Sequence, residues 1–213
     1  MNLASPTVDE FTTRARRCLR AEPPGPHDPR SDPKGDQALD IVKMLPDGEP
    51  KAAAVLVPVI AHPKETTVLL TQRATGLRAH SGQIAFPGGR LDGDDTSPLA
   101  AALREAEEEI GLAATHVRPL GYLDAYLSGT GYLVTPVVGL VSPRVRLSLN
   151  PFEVAETFEV PLGFLMDPSR HEIHEREWNG HLRRYYAIPF GDRYIWGVTA
   201  GIIRNLYERL YRT

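Results

Sequence analysis

The segment that most constrains this chain is Leu99 to Ile110, the best helix candidate in its 213 residues, which Gly111 closes as a helix-stop signal. At about 100° per residue, with Glu105 as the origin, Glu109 falls near +40° and Glu108 near −60°. Three carboxylates therefore share one stripe of the predicted helix. Leu99, Ala102, Leu103, Ala106 and Ile110 gather on the adjoining arc and predict the buried face. Glu107 lies on the opposite side, as a solvated bystander. Ala101 falls beside the stripe and should leave the surface above it uncrowded, so the acids are expected at the rim of a cleft. Like charges this close repel unless something neutralises them. Hard divalent cations that prefer oxygen ligands, Mg²⁺ or Mn²⁺, would do so. Arg104 falls beside Glu108 and could orient it by a charge-assisted hydrogen bond.

Around that helix the chain reads as alternating strands and turns. Ser5-Pro6 predicts an N-cap and first helical position for a helix reaching about Leu19. Ala21 to Asp36 is rich in Pro, Gly and Asp and reads as a linker, so residues 1–36 are expected to precede a domain at 37–213. Ala52–Ile60 and Thr67–Thr71 predict a hairpin of two strands, with further strands at Gln83–Phe86, Val117–Ala125 and Val134–Val141. Pro161–Met166 predicts a short helix, and His171–Trp178 with Arg183–Ile188 a second hairpin. A final helix over Gly197–Tyr211 should pack Ala200, Ile203, Leu206 and Leu210 on the sheet. Residues 150–162 (NPFEVAETFEVPL) follow the strands and are read as a loop that could carry Glu153 or Glu156 to the acidic helix. Ser128-Gly129-Thr130-Gly131 reads as a plain turn first, and as a flexible pocket loop second.

Composition narrows the function. A net charge of −3 gives no reason to expect binding to nucleic-acid polymers or membrane surfaces. The single cysteine, Cys18, rules out an intrachain disulfide framework and a cysteine-based zinc site. No apolar run approaches the ~20 residues needed to span a bilayer, and the N-terminus is unlike a secretory signal, so a cytoplasmic enzyme is expected.

The lead-in to the helix adds the decisive pattern. Gly88-Gly89 permits a tight turn whose carbonyl can approach a metal. Residues 104–112 (REAEEEIGL) match the second half of the Nudix box, G-x5-E-x7-R-E-U-x-E-E-x-G-U with U apolar, at every specified position. The first half departs from it: Asp95 stands where Glu is usual, and eight residues rather than seven separate it from Arg104. Upstream, LLTQRATGLRAHSGQIAFPGG is similar to the added signature of the coenzyme A pyrophosphatase branch, L-L-T-x-R-(S/A)-x3-R-x3-G-x3-F-P-G-G. Ile195-Trp196-Gly197 is also similar to that branch.

The resemblance implies an α/β/α sandwich with a mixed β-sheet and the box helix on one face. It implies metal-dependent attack of water on a diphosphate, with Glu105, Glu109, Glu108 and the Gly89 carbonyl around the metal. Glu108 or Glu153 would act as base, with Arg104 as orienting partner. Arg73, Arg78 and His80 would grip phosphates or the nucleotide. The expected substrate is coenzyme A or an acyl-CoA. The alternatives are another nucleoside diphosphate-X, such as ADP-ribose, NADH or a dinucleotide, or a sensor that binds without hydrolysis. The N-terminal helix is available for a homodimer contact.

Overall fold

The structure, a computed structural model, describes residues 6–25, 39, 49–76, 82–178 and 180–212. Its centre is β1 (Lys51–Ala61), an unbroken apolar run because both of its faces are covered. Ala53, Val57 and Val59 enter one core cluster, while Ala54, Leu56 and Ile60 enter the other. This period-2 division sets two layers on either side of the sheet.

β1 pairs antiparallel with β2 (Thr66–Arg73) and, over ten positions, parallel with β7 (Tyr132–Val141). The principal sheet runs β3-β2-β1-β7-β5, with β3 at Ile84–Ala85 and β5 at Val117–Tyr122. β4 (Gly88–Arg90) pairs with β1, β6 (Tyr126–Leu127) with β7, and β8 (Val154–Pro161) with β2. The sheet is therefore mixed. A smaller antiparallel sheet joins β9 (Glu172–Trp178), β10 (His181–Phe190) and β11 (Arg193–Trp196).

On one face lies α2 (Pro98–Ile110), whose Ala102, Ala106 and Ile110 pack on Ala54, Leu56 and Val137. The other face is covered by α4 (Val198–Leu210) and α1 (Val8–Cys18), through Ile202, Ile203, Leu206, Phe11 and Ala15. The short α3 (Leu162–Leu165) follows β8. Both predicted hairpins form, and the amphipathic face of α4 is buried as its spacing requires.

Three expectations are corrected. The first helix is capped by Thr7 rather than Ser5, which lies outside the described residues. Glu10 N–H donates to Thr7 Oγ1 at 3.2 Å and Thr7 N–H to Glu10 Oε2 at 2.8 Å, so two otherwise unpaired donors are satisfied at once. The Val117–Ala125 strand stops at Tyr122, after a register shift between Pro119 and Gly121, and resumes only as β6. Most significantly, much of the segment read as a loop over 150–162 is β8. Its polar residues Glu156, Thr157 and Glu159 obscured the strand, which pairs Glu156 with Gln72 across β2.

A buried ion-pair group ties the chain just after α1 to α4. The Asp124 carboxylate accepts from Arg209, from Arg20 at 3.0 Å and from Asn205 Nδ2 at 3.1 Å. Burial pushes the Asp124 carboxyl up, but hydrogen bonds from Arg209, Asn205 and Arg20 outweigh it and hold the group far below the usual range. A depressed carboxyl contributes stability above its unfolded pKa and loses it as pH falls through the folded value. Asp124→Ala is expected to cost about 2 kcal/mol, the charge-assisted bonds less the solvation the arginines recover. Thermal melts at neutral pH check this; an unchanged melting temperature would remove the group from the stabilising set.

Candidate active site

Helix α2 begins where Ser97 Oγ accepts from Ala100 N–H at 3.1 Å and Pro98 takes the first turn. It ends at Gly111, whose φ of 67° lets the chain reverse, with its N–H returned to the Ala106 and Glu107 carbonyls. Between these ends Glu107 and Glu108 are exposed, Glu105 is half-buried and Glu109 is only 2 % exposed. The acids thus do not all stand at a rim. Ala101 is fully buried as well, contrary to the uncrowded surface expected beside the stripe. A helical wheel shows only the helix's own sides. Here β4 and the chain after β7 lie over the arc that the wheel left open.

The Gly88-Gly89 turn is one of these covers. β4 pairs with β1 so closely that a Cβ at Gly88, where φ is 154°, would collide with the Ala54 carbonyl. At Gly89 an ideal Cβ would lie 2.5 Å from Glu105 Oε1, so only glycine admits that carboxylate beside the backbone. Gly88 N–H donates to Glu109 Oε2 at 3.2 Å, and Arg73 Nη1 approaches Glu109 Oε1 at 3.4 Å from the end of β2. Arg73 Nε is buried without a hydrogen-bond partner among the described residues.

The second cover carries Glu153. Ser148 N–H donates to the Ile110 carbonyl and Asn150 N–H to that of Glu109, both at 2.9 Å, which latches the returning chain to the end of α2. Ala74 N–H then binds the Glu153 carbonyl at 2.8 Å, and Asn150 Nδ2 donates to Glu153 Oε1 at 3.0 Å. Glu153 is close enough to repel Glu105 and Glu109 electrostatically. Glu156 is directed elsewhere: Arg193 Nη1 meets its Oε1 at 2.5 Å and holds its carboxyl low.

Arg104 is the hub of the outer half of the site. It makes a two-pronged contact with Asp95, Nε to Oδ1 at 3.2 Å and Nη2 to Oδ2 at 3.0 Å. Its Nη1 reaches Glu108 and Glu105, each at 3.0 Å, and Nη2 donates to the Arg90 carbonyl at 3.2 Å. The expected Arg104–Glu108 contact is therefore present. Asp95, out of register in the sequence, is the residue that anchors Arg104, and that bond lowers its own carboxyl. Arg78 and His80 lie outside the described residues.

Burial is the largest influence on Glu109, pushing its carboxyl up to about 7; Arg73 and Gly88 N–H oppose it, and Glu105 and Glu153 add to it. Burial likewise raises Glu105, against the pull of Arg104. Acids held in this condition are short of positive charge. Their donors are all oxygen, which suits a hard divalent cation. Among the described residues no three acidic, histidine or cysteine side chains close a metal sphere by themselves.

Beyond the glycine turn opens a cavity of about 620 Å³, lined by Arg73, Phe86, Gly88, Gly89, Tyr132 and the Ser128–Thr130 loop. The loop expected from Ser128-Gly129-Thr130-Gly131 thus borders the pocket. Arg176, Arg183 and Tyr185 also line it. Their hairpin is legible in the sequence, but its alternation does not say which face meets the cavity.

The model of the NUDIX domain matches residues 50–179. The chain is 45% identical over 168 residues to the uncharacterized Nudix hydrolase NudL of Photorhabdus laumondii, covering 79% of this chain and 89% of that one. It is 46% identical over 160 residues to its namesake in Yersinia pestis, covering 75% and 80%. A crystal structure of the Nudix hydrolase RenU from M. smegmatis aligns with TM-score 0.45 and 28% identity, over 54% of this chain and 73% of that one. The chain belongs to the Nudix hydrolase family. It is accordingly a pyrophosphohydrolase with the Nudix α/β fold, acting on small nucleotides of the nucleoside diphosphate-X type, in a family that generally uses divalent metal ions. No helix among the described residues is long and apolar enough to cross a membrane.

The raised Glu109 carboxyl has a stability signature. In the metal-free protein the folded state keeps this proton up to about pH 7, whereas the unfolded chain releases it in the ordinary carboxylate range. Between those values the folded form binds more protons, so stability falls as pH rises. Glu109→Gln is therefore expected to raise the melting temperature of chelator-treated protein by about 2–4 °C near pH 8. The gain should shrink by about pH 5 and vanish below the ordinary carboxylate range; an equal gain at every pH would contradict the assignment.

Proposed function

We propose that this site hydrolyses the diphosphate of coenzyme A or an acyl-CoA, yielding adenosine 3′,5′-bisphosphate and the (acyl-)4′-phosphopantetheine. The observation that carries this reading is the Leu69–Gly89 string, which has every specified position of the branch signature. What supports it physically is where that string runs. Arg73 meets Glu109, Gly88 and Gly89 border the acids, and Gln83 to Phe86 wall the adjoining cavity. One stretch thus joins the carboxylates to a compartment with room for the rest of a nucleotide.

In this reading Glu105 and Glu109, with the Gly89 carbonyl, would hold Mg²⁺ or Mn²⁺, with water and substrate oxygens completing the set. Such a cation, when bound, neutralises diphosphate oxygens and lowers the pKa of a coordinated water. Glu153 is the preferred base. It is half-buried, its Oε1 is oriented by Asn150, and it faces the helical acids without an arginine of its own among the described contacts. It would take the proton of the attacking water as the new P–O bond forms and the anhydride P–O bond breaks. Arg104, fixed by Asp95, positions Glu105 and Glu108. Arg73 would bear on the phosphates, its fork suiting their oxygens. Arg78 and His80, from the same signature string, belong to the nucleotide grip in this proposal.

Two measurements test these roles. With Mg²⁺ or Mn²⁺ at fixed concentration, CoA should exceed ADP-ribose, NADH and dinucleotides in kcat/KM; markedly slower turnover of CoA defeats the substrate assignment. Glu153→Gln should lower kcat by about 10²–10⁴ while metal affinity persists, the loss typical of a removed general base. Should Glu108→Gln produce that loss instead, the base is Glu108.

A further inference from the structure

On the cavity wall away from the acidic helix, β9 and β10 place Arg176 directly opposite Arg183. Both line the cavity. Opposed residues of an antiparallel pair have Cβ atoms about 5 Å apart, and like charges there are destabilising. Neither arginine has an ion-pair or hydrogen-bond partner among the described residues. Other arginines of the molecule are spent on carboxylates, as Arg20 and Arg209 are on Asp124, Arg104 on Asp95 and Arg193 on Glu156. The fold thus concentrates two uncompensated guanidinium groups on one side of a pocket.

The surroundings leave room for Arg183. A Cβ at Gly129 would collide with the Arg183 guanidinium, so the pocket loop is bare where that group lies against it. Two residues along the same face of β10, Tyr185 packs edge-on against Trp196, with ring centroids 5.5 Å apart, and both line the cavity. The wall therefore couples two cations to a flat apolar surface. That combination matches a phosphate carried on a nucleoside, whose oxygens take the forks while its rings contact the aromatics.

We propose that Arg176 and Arg183 seat a phosphomonoester on the substrate's nucleoside portion, separate from the diphosphate that is cut. This rests on the reading of the acidic helix as the hydrolytic site, and it deepens that reading by naming what the substrate carries at its far end. Coenzyme A bears such a group on its ribose; ADP-ribose and NADH do not. The pair would thus act as a selectivity element that adds affinity for a ribose-phosphorylated nucleotide.

The test compares wild type with Arg176→Gln/Arg183→Gln by two readouts. The first is calorimetric binding of adenosine 3′,5′-bisphosphate against AMP in the presence of Mg²⁺. The second is the ratio of kcat/KM for CoA over 3′-dephospho-CoA. Wild type should prefer the bisphosphate by about 10- to 100-fold, the range expected of charge-assisted contacts, and the double variant should lose most of that preference. The kinetic ratio should fall in parallel. Gly129→Ala, which keeps both charges but displaces the Arg183 fork, should reduce the preference partway. A bisphosphate preference that survives the double variant overturns the arginine seat, whatever the turnover. If instead wild type shows the preference, the variant loses it and CoA is not hydrolysed, the seat stands and the CoA pyrophosphatase reading fails.

Discussion

Glu109 is a carboxylate enclosed by its own fold, and much of the site can be understood as the means of keeping it there. A buried acid must be paired, hydrogen-bonded or protonated. This one receives a backbone N–H from Gly88, a guanidinium from Arg73 and a proton-retaining environment from burial. The first two come from different elements, β4 and the end of β2. Gly88 cannot carry a side chain, because the β1 backbone lies against it, and one at Gly89 would have to displace the Glu105 carboxylate. A helix with weaker packing would turn its acids toward water and dissolve the site. The alanines that hold α2 on Ala54 and Leu56 therefore contribute to the chemistry as well as to the core.

Around this centre the charges are divided by task. Asp95 and Arg104 form a fixed brace on the outer half, where the arginine is shared among Asp95, Glu105 and Glu108. The Asp124 group on the opposite side of the sheet is architectural, joining the chain just after α1 to α4. The hairpin arginines belong to neither arrangement. That they meet no carboxylate among the described residues, beside the cavity, is what distinguishes them from the structural ion pairs.

The one-residue displacement of Asp95 shows how a motif can shift in sequence and survive in space. The turn from Asp92 to Asp95 closes on itself, with Asp92 N–H donating to Asp95 Oδ2 at 2.8 Å. The extra residue lies after that turn, between Asp95 and Arg104, and the shorter carboxylate still reaches both prongs of Arg104. Spacing in a loop is negotiable as long as the side chain arrives. Within α2 it is not, since one inserted residue would rotate every later acid by about 100°.

The sequence alone determined the helix at 99–110, its Gly111 stop, the separation of Glu107 from the other acids and the family signature around Gly88-Gly89. These are local matters, set by a 3.6-residue period and by the steric freedom of glycine. It also supplied the two hairpins and the burial of α4, whose patterns are regular. Tertiary structure decided the rest. It showed that Glu109 and Ala101 are covered, because the covering chain comes from β4 and residues 148–153 rather than from the helix itself. It made β8 a strand through pairing with β2, despite its polar residues, and so sent Glu156 to Arg193 while Glu153 joined the acids. And it set Arg176 opposite Arg183 on a cavity wall, since strand register and the face a hairpin presents depend on partners distant in the chain.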